Sequence, residues 1–203
     1  MRDWWLRALL VLQRPRPVFA ALRDDTREAA GERAEPVLLI ILLAGIATVL
    51  ATSTAAHLND DGSFGGVLIA VWAFLVGSLN GFFGYFILGA ILHGGVKAFG
   101  SQGSYRRSRH VLAFAAVPIA LSLVLWPVKL ALYGGDWFHT GGRDTGAGGL
   151  AFDLLQLAFF AWAAALLVIG VRAVHGWTWP RAGAACAFAV AAPLVVALVL
   201  SSV

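Results

Sequence analysis

The stretch His93–His110 combines glycines with basic side chains, a composition suited to binding phosphate. A nucleotide-binding P-loop carries its lysine directly after the last glycine, at the start of a helix, where backbone N–H groups and the ammonium converge on phosphate. Lys97 instead precedes Gly100 and Gly103, and the GxGxxG dinucleotide pattern is also absent. The stretch therefore does not predict a nucleotide site. The phosphates that its basic side chains are best placed to contact are those of lipid headgroups at a membrane surface.

Two ionisable residues lie inside apolar runs, where charged side chains usually have a function. Lys129 and Asp153 each lie about one helical turn from the same end of their runs, so an ion pair between them is the favoured interpretation. Separate snorkelling of the two side chains to the surface is an alternative. A proton or ion relay is a third interpretation, for which Gln156 is the only polar group nearby.

A glycine pattern marks the second apolar run. Gly77, Gly81 and Gly84 recur at i, i+4 and i+7, which leaves one helix face without side chains. Another helix can approach such a face closely, and Asn80 and Ser78 beside it can hydrogen-bond across the contact. Helix packing within the chain is the favoured interpretation, and a dimer seam and the lining of a substrate path are alternatives.

The residues needed for catalysis or metal binding are not arranged in a recognisable pattern. The GxSG sequence of an intramembrane serine protease is missing, and no histidine lies in the middle of another span to act as a base. Histidines and aspartates do occur in the loops expected outside: His57, Asp60, Asp61, Asp136, His139 and Asp144. These loops are separate and contain no tight histidine pair. We therefore expect no enzymatic activity, no cofactor and no metal site.

The composition is that of a membrane protein. Of the 203 residues, 60% are hydrophobic and only 13% are charged, with a mean hydropathy of +0.80. Soluble proteins average about 45–50% apolar and about 25% charged residues. The elements that carry the residues above are therefore expected to be transmembrane helices.

We predict an all-α fold, a polytopic membrane helix bundle with five transmembrane helices. The predicted spans are residues 36–56, 67–93, 111–133, 150–174 and 182–203. Each is near or above the roughly 20 residues that a helix needs to cross the hydrocarbon layer. The chain then divides into a short amphipathic N-terminal segment, residues 1–35, and a five-helix domain, residues 36–203.

The distribution of basic residues predicts the orientation. With five crossings, all of the 15 Lys and Arg residues except Lys129 and Arg143 fall on one side of the membrane or at its edge. Because basic residues are enriched in cytoplasmic loops, the N-terminus is expected in the cytoplasm and the C-terminus outside.

The N-terminal segment is expected to lie at the cytoplasmic surface. Trp4, Trp5 and Ala8 follow helical spacing while Asp3 and Arg7 lie on another side, so this part can rest in the headgroup layer. Packing of the segment against the bundle is the favoured interpretation, and recruitment of a soluble partner is the alternative.

Three stretches together resemble the Yip domain family of five-span membrane proteins, named for interaction with Ypt/Rab GTPases. They are "RPRPVFAAL", "GGVKAFGSQGSYRRSRHVLAFAAVPIAL" with Pro118 in the first third of its span, and "LLVIGVRAVHGWTWPRAGAA". The resemblance covers nearly the whole chain and implies five spans, a cytoplasmic N-terminus and a non-enzymatic role. The short N-terminal region and the composition rich in alanine and arginine are similar to a prokaryotic member. That resemblance implies a cytoplasmic (inner) membrane location and no Rab partner.

The function predicted from the sequence is membrane organisation, or binding of anionic lipids and protein partners, through a basic cytoplasmic face. The residues expected at this face are Lys97, Arg106, Arg107, Arg109, Arg172 and Arg181. The expected partners are anionic lipids, a second copy of the chain, or a membrane or peripheral protein, but no nucleic acid. The alternative is a small transporter or lipid-translocating protein that uses Asn80, Lys129 and Asp153 within the spans.

Overall fold

The computed structural model describes residues 2–52, 55–58, 60, 65–139 and 147–201, and within these ranges the chain is helical and contains no β-strand. The α-helices are α1 Arg2–Leu10, α2 Pro15–Ala21, α3 Arg27–Glu32, α4 Ala34–Leu50, α5 Gly66–Ala98, α6 Tyr105–Ala115, α7 Val117–Leu121, α8 Leu125–Tyr133, α9 Ala147–His175 and α10 Trp179–Ser201. Short 3-10 helices occur at Ala55–His57, Ser122–Val124 and Gly134–Phe138.

Three helical stretches are long and apolar enough to cross a membrane: Gly66–Ala98, Tyr105–Phe138 and Ala147–His175. They contain the second, third and fourth predicted spans. The helix α4 has 17 residues and is apolar, which corresponds to a length of about 26 Å. The helix α10 has 23 residues and covers most of the fifth predicted span. Membrane crossing by α4 and α10, and hence the total of five spans, stays a prediction.

The stretch Tyr105–Phe138 is interrupted. α6 ends at Ala115, α7 begins at Val117, and a 3-10 turn at Ser122–Val124 leads into α8. Pro118 lies in the first turn of α7, where its missing N–H is one that the helix would leave unbonded anyway. The Ser122 hydroxyl donates to the carbonyl of Ile119 at 2.7 Å. The stretch therefore changes direction in short steps rather than running as one straight helix.

Glycines allow α4 and α5 to pack backbone against backbone. A Cβ atom on Gly45 or Gly81 would overlap the facing backbone, and one on Gly77 would lie 2.5 Å from the Cα of Ile46. A Cβ on Gly84, by contrast, would have only a Leu88 methyl at 4.0 Å. Two of the three glycines in the predicted packing face thus contact α4 within the same chain, and the third borders open space.

The N-terminal segment packs into the main core of the bundle. Trp4, Phe19 and Leu22 are all buried there, and the ring centroid of Trp4 lies 5.7 Å from that of Phe114. A Cβ on Gly170 of α9 would lie 2.9 Å from the Phe19 ring, so only glycine leaves room for this contact. The segment is held as an arm against the other helices. We refer to residues 2–32 as the N-terminal arm.

Candidate functional site

The predicted lipid-binding residues lie at one end of the bundle. Lys97 is in the last turn of α5, and Arg172 is in the last turn of α9. Arg181 of α10 donates to the carbonyl of Phe99, just after α5, at 2.5 Å, and the His175 ring lies 2.7 Å from the Ser101 hydroxyl. These contacts join the ends of α5, α9 and α10. Together with the start of α6 they form what we call the basic end.

Arg106 is bound inside the protein at this end. Its Nε donates to the Asp25 carboxylate at 2.9 Å, and its terminal nitrogen donates to the carbonyl of the same residue. The Ser104 hydroxyl donates to the second carboxylate oxygen of Asp25. A carboxylate of the N-terminal arm thereby occupies the position that a lipid phosphate would take at Arg106.

The charge state of Asp25 depends on opposing effects. Burial of its carboxyl group is the largest single influence and would raise its pKa. The hydrogen bonds from Ser104 and Arg106, together with the positive charges of Arg106 and Arg107, outweigh burial and hold the pKa of Asp25 below its ordinary value. Asp25 is therefore an anion at neutral pH.

Arg33 is fully buried beside this carboxylate, at 0% exposure. Its Nε donates to Nδ1 of His110 at 2.9 Å, and Nη2 donates to the carbonyl of Asp24 at 2.9 Å. Nη2 also lies 3.6 Å from the Asp25 carboxylate. Because Nδ1 of His110 accepts a hydrogen bond, its imidazole is neutral. Burial lowers the pKa of the Arg33 guanidinium most strongly, while the negative charge of Asp25 opposes that shift.

Arg107 also has partners within the protein. It donates to the carbonyl of Arg23 at 2.8 Å. Arg23 in turn donates through two nitrogens to the carbonyl of Ala173 in α9, at 2.6 and 3.1 Å. The hydrogen bonds run from α6 through the N-terminal arm to α9. Arg106 and Arg107 therefore fasten the arm to the bundle.

A different arrangement surrounds the connection between α9 and α10. The guanidinium of Arg172 lies 4.5 Å from the ring centroid of Trp179, and that of Arg16 lies 6.0 Å from the same centroid. The guanidinium of Arg181 lies 4.4 Å from the centroid of Trp177. Within the described residues, none of these three arginines forms a salt bridge with a carboxylate. We call these five residues the arginine–tryptophan face.

The face is open to the surroundings of the protein. Trp179 is 45% exposed, and Arg16 and Arg181 are exposed, as is Lys97 of α5. Tryptophan is enriched where hydrocarbon meets headgroups, because its ring is apolar and its N–H is polar. Stacking on the rings holds the guanidinium groups without using their N–H donors. Of the three arginines, Arg181 also donates one hydrogen bond, to the carbonyl of Phe99.

Arg109 differs from both groups. Its guanidinium lies 5.0, 4.5 and 4.6 Å from the ring centroids of Tyr85, Phe86 and Tyr105. In the part of the chain that the structure describes, its buried Nε has no hydrogen-bond partner, which is also true of the Nε atoms of Arg107 and Arg172. Arg109 is therefore a cation surrounded by aromatic rings.

The predicted intramembrane polar residues fall into two places. Lys129 is 3% exposed, and its ammonium lies 4.4 Å from the ring centroid of Trp137 and 4.7 Å from that of Trp126. Lys129, Asp153 and Gln156 line one cavity of about 30 Å³. The structure therefore brings these three residues together, and it adds an aromatic surround that the sequence pattern did not indicate.

Asn80 lies elsewhere, on a cavity of about 240 Å³ between α4, α5 and α6. Most of the residues lining this cavity are apolar. This cavity and the one lined by Lys129 share no lining residue.

The histidines and aspartates of the loops approach one another in part. Asp60 lies 3.5 Å from Nδ1 of His57 and 3.7 Å from Nδ1 of His139. Asp61 and Asp144 lie outside the described residues. Within the described ranges there is no group of three or more His, Cys, Asp or Glu side chains arranged to hold a metal ion.

Two of the residues that build the basic end were missed at the level of sequence. Asp25 lies in a run of mixed charges that is typical of a solvated helix face. The charge of Arg33 was used only to predict the orientation of the chain in the membrane. Arg33 lies near the end of that run, three residues before the first apolar run begins at Pro36. A charge in this position can be drawn inward when its helix packs, and that is the one signal that could have identified it.

Comparison with known proteins identifies one family. The model of the Yip1 domain matches residues 9–201, which is nearly the whole chain. No curated protein and no solved structure matches the sequence.

Proposed function

Because the chain belongs to the Yip1 domain family and its long apolar helices make it an integral membrane protein, we propose that it binds anionic lipid headgroups at its basic end. The contact surface in this proposal is the arginine–tryptophan face. The role is non-enzymatic: the protein organises the membrane around it, or presents a charged surface to a membrane or peripheral protein.

The proposal rests mainly on one observation, the convergence of Arg16, Arg172 and Arg181 from three helices onto two tryptophans. The rings favour the depth at which headgroup phosphates lie. The guanidinium groups supply charge and forked donors that match phosphate geometry. Each basic side chain near an anionic surface contributes on the order of 1 kcal/mol. Three of them would favour anionic over neutral lipid by about a hundredfold.

The proposal divides the predicted binding residues according to their partners. Lys97, Arg109, Arg172 and Arg181 remain headgroup contacts. Arg106 and Arg107 are assigned to holding the N-terminal arm, because each already donates to an acceptor of that arm. The positive-inside bias supports a cytoplasmic position for the basic end, and we propose the inner membrane of a prokaryote as the location of the protein.

The test measures which lipids stay with the protein. The chain is reconstituted in nanodiscs of phosphatidylglycerol and phosphatidylcholine, extracted in mild detergent, and its retained lipids are quantified by mass spectrometry. We expect enrichment of phosphatidylglycerol that is largely lost in the double variant Arg172→Gln, Arg181→Gln.

The matched control is Arg27→Gln. Arg27 is an exposed arginine of the N-terminal arm, so this change removes charge away from the tryptophans, and enrichment should persist. A wild-type protein that retains the two lipids in their bulk ratio would contradict the proposal, as would equal loss in the variant and the control.

A further inference from the structure

The cavity beside Asn80 ends close to Arg109. Tyr85 and Leu88 line the cavity on α5 and Leu112 lines it on α6. Arg109 lies over the Tyr85 ring and precedes Leu112 by three residues, so the two share a helix face. A Cβ on Gly89, one residue beyond Leu88, would overlap the Arg109 side chain. Arg109 itself does not line the cavity, but its contacts with Tyr85 and beside Gly89 place it next to the end that is nearest the basic end.

The cavity has the shape and lining of a groove for a hydrocarbon chain. It runs along α5 from Asn80 to Leu88, a distance of about 12 Å along the helix axis. Its volume is about 240 Å³, and small residues such as Gly84 and Ala116 leave its space open. Apart from Asn80 and Thr48, its lining offers hydrocarbon contacts. The Thr48 hydroxyl is already donated to the carbonyl of Ala44 at 2.7 Å.

Arg109 supplies the charge that such a groove requires at its mouth. Its guanidinium has five donors, and none of them bonds to an acceptor among the residues that the structure describes. Arg106 and Arg107, within one turn of it on α6, are bonded to Asp25 and to the carbonyl of Arg23. An arginine with unused donors at the end of an apolar groove complements a molecule with an anionic head and an apolar tail.

We propose that one anionic glycerophospholipid binds here, with its negatively charged headgroup at Arg109 and one acyl chain in the groove between α5 and α6. This inference rests on the proposed function and gives it a defined second site. The arginine–tryptophan face holds headgroups alone, whereas this site holds a headgroup and a chain. Because the groove contacts both α5 and α6, a bound chain would fill space that the helices leave between them.

The experiment maps where a photoreactive lipid touches the protein. The full chain is reconstituted in phosphatidylcholine nanodiscs that contain phosphatidylglycerol with a diazirine in the middle of one acyl chain. After irradiation, adducts are located by peptide mass spectrometry. We expect them to concentrate on the groove segments 41–48, 80–88 and 112–119 rather than to spread over the lipid-facing helices.

Two glycine substitutions on α5 give a matched pair. Gly84→Leu extends a side chain into the groove, because only a Leu88 methyl lies near its Cβ position. Gly94→Leu adds the same side chain to the same helix at a site with no atom within 4 Å. Adduct yield in the groove should fall about fivefold or more in Gly84→Leu and stay unchanged in Gly94→Leu. Equal yields in both variants would overturn the inference.

The headgroup part of the inference has its own readout. Arg109→Gln should lower labelling by the phosphatidylglycerol probe about fivefold, which corresponds to roughly 1 kcal/mol, and should leave labelling by a phosphatidylcholine probe unchanged. If adducts in the wild-type protein are spread evenly over all helices, the proposed binding of an acyl chain in the groove is refuted, and no variant is needed to show it. A groove filled by a second copy of the chain would show protein cross-links there in place of lipid adducts, which would also refute it.

Failure of this inference can be distinguished from failure of the proposed function. If phosphatidylglycerol enrichment depends on Arg172 and Arg181 but adducts avoid the groove, only the groove is wrong. If adducts map to the groove with no preference between the two lipids, the charge recognition at Arg109 is wrong. If the wild type shows neither enrichment nor localised adducts, both proposals fail.

Discussion

Arg106 and Arg172 lie at the same end of the bundle and carry the same charge, but their surroundings differ. Arg106 meets the Asp25 carboxylate at 2.9 Å, whereas Arg172 lies 4.5 Å from the ring of Trp179. A carboxylate neutralises the guanidinium and uses its donors. An aromatic ring orients the guanidinium and leaves its donors for another molecule. We therefore propose that the group next to an arginine, rather than its position in a basic loop, decides whether it holds the N-terminal arm or binds a lipid headgroup.

The contacts of the Asp25 carboxylate with Arg33, Ser104 and Arg106 form what we call the fastening region. The largest effect is expected from removing this carboxylate. Asp25→Ala leaves Arg33 fully buried without its counter-charge, and breaking a buried pair in this way costs about 3–5 kcal/mol. The free energy of unfolding in detergent should fall by that amount, and amide hydrogen exchange in the N-terminal arm should accelerate. Glu32→Ala, which removes an exposed carboxylate of the same arm, is the control and should change little. Equal effects of Asp25→Ala and Glu32→Ala would show that the Asp25 carboxylate has no special role in holding the N-terminal arm.

A smaller effect is expected when the arginine of the same pair is changed. Arg106→Gln removes a charge-assisted hydrogen bond to Asp25, but the Arg106 side chain is 35% exposed. We therefore expect a loss of about 1–2 kcal/mol, measured by the same denaturation experiment. Lipid retention should be unaffected. A variant with unchanged stability and less phosphatidylglycerol would place Arg106 among the binding arginines.

Acidification should weaken the fastening region alone. Because the folded protein holds the pKa of Asp25 below its ordinary value, the stabilisation is fully present above the unfolded pKa of about 3.9. It is lost as the pH falls through the lower folded value. Exchange in the arm should therefore accelerate only in this acid range, and Asp25→Asn should abolish that dependence. Acceleration at near-neutral pH would mean that a different group controls the arm.

The smallest effect should come from replacing arginine by lysine at the tryptophans. Arg172→Lys with Arg181→Lys keeps both charges but loses planar stacking, which is worth about 0.5–1 kcal/mol at exposed sites. Phosphatidylglycerol enrichment should fall modestly, much less than in the glutamine variants. A loss as large as theirs would show that forked donors, rather than charge, control the binding.

Much of the helical framework could be predicted from local sequence. Long apolar runs predict spans without knowledge of partners, and the three longest helical stretches contain the spans expected at residues 67–93, 111–133 and 150–174. Gly77 and Gly81 lack side chains, so a close helix approach follows from their spacing alone. The breaks within the stretch Tyr105–Phe138 could not be located from the sequence. A proline at position 118 is compatible with either a kink or the start of a new helix.

The candidate site was only half predictable, because its parts lie far apart in the sequence. The hydrogen bond from Arg33 to His110 joins residues 77 positions apart, and the one from Arg106 to Asp25 spans 81. Neither periodicity nor composition encodes such pairings. Basic loops could therefore be recognised as basic, but the arginines with carboxylate partners could not be separated from those on tryptophans. The aromatic surround of Lys129 was missed for the same reason.

The most direct test of the central claim is native mass spectrometry of two charge-matched double variants, released from the same membrane. One carries Arg106→Gln and Arg107→Gln, and the other carries Arg172→Gln and Arg181→Gln. The different surroundings predict that anionic lipid stays with the first variant and is lost from the second. Lipid lost equally from both, or only from the first, would show that the two groups of arginines do not have the separate roles assigned to them.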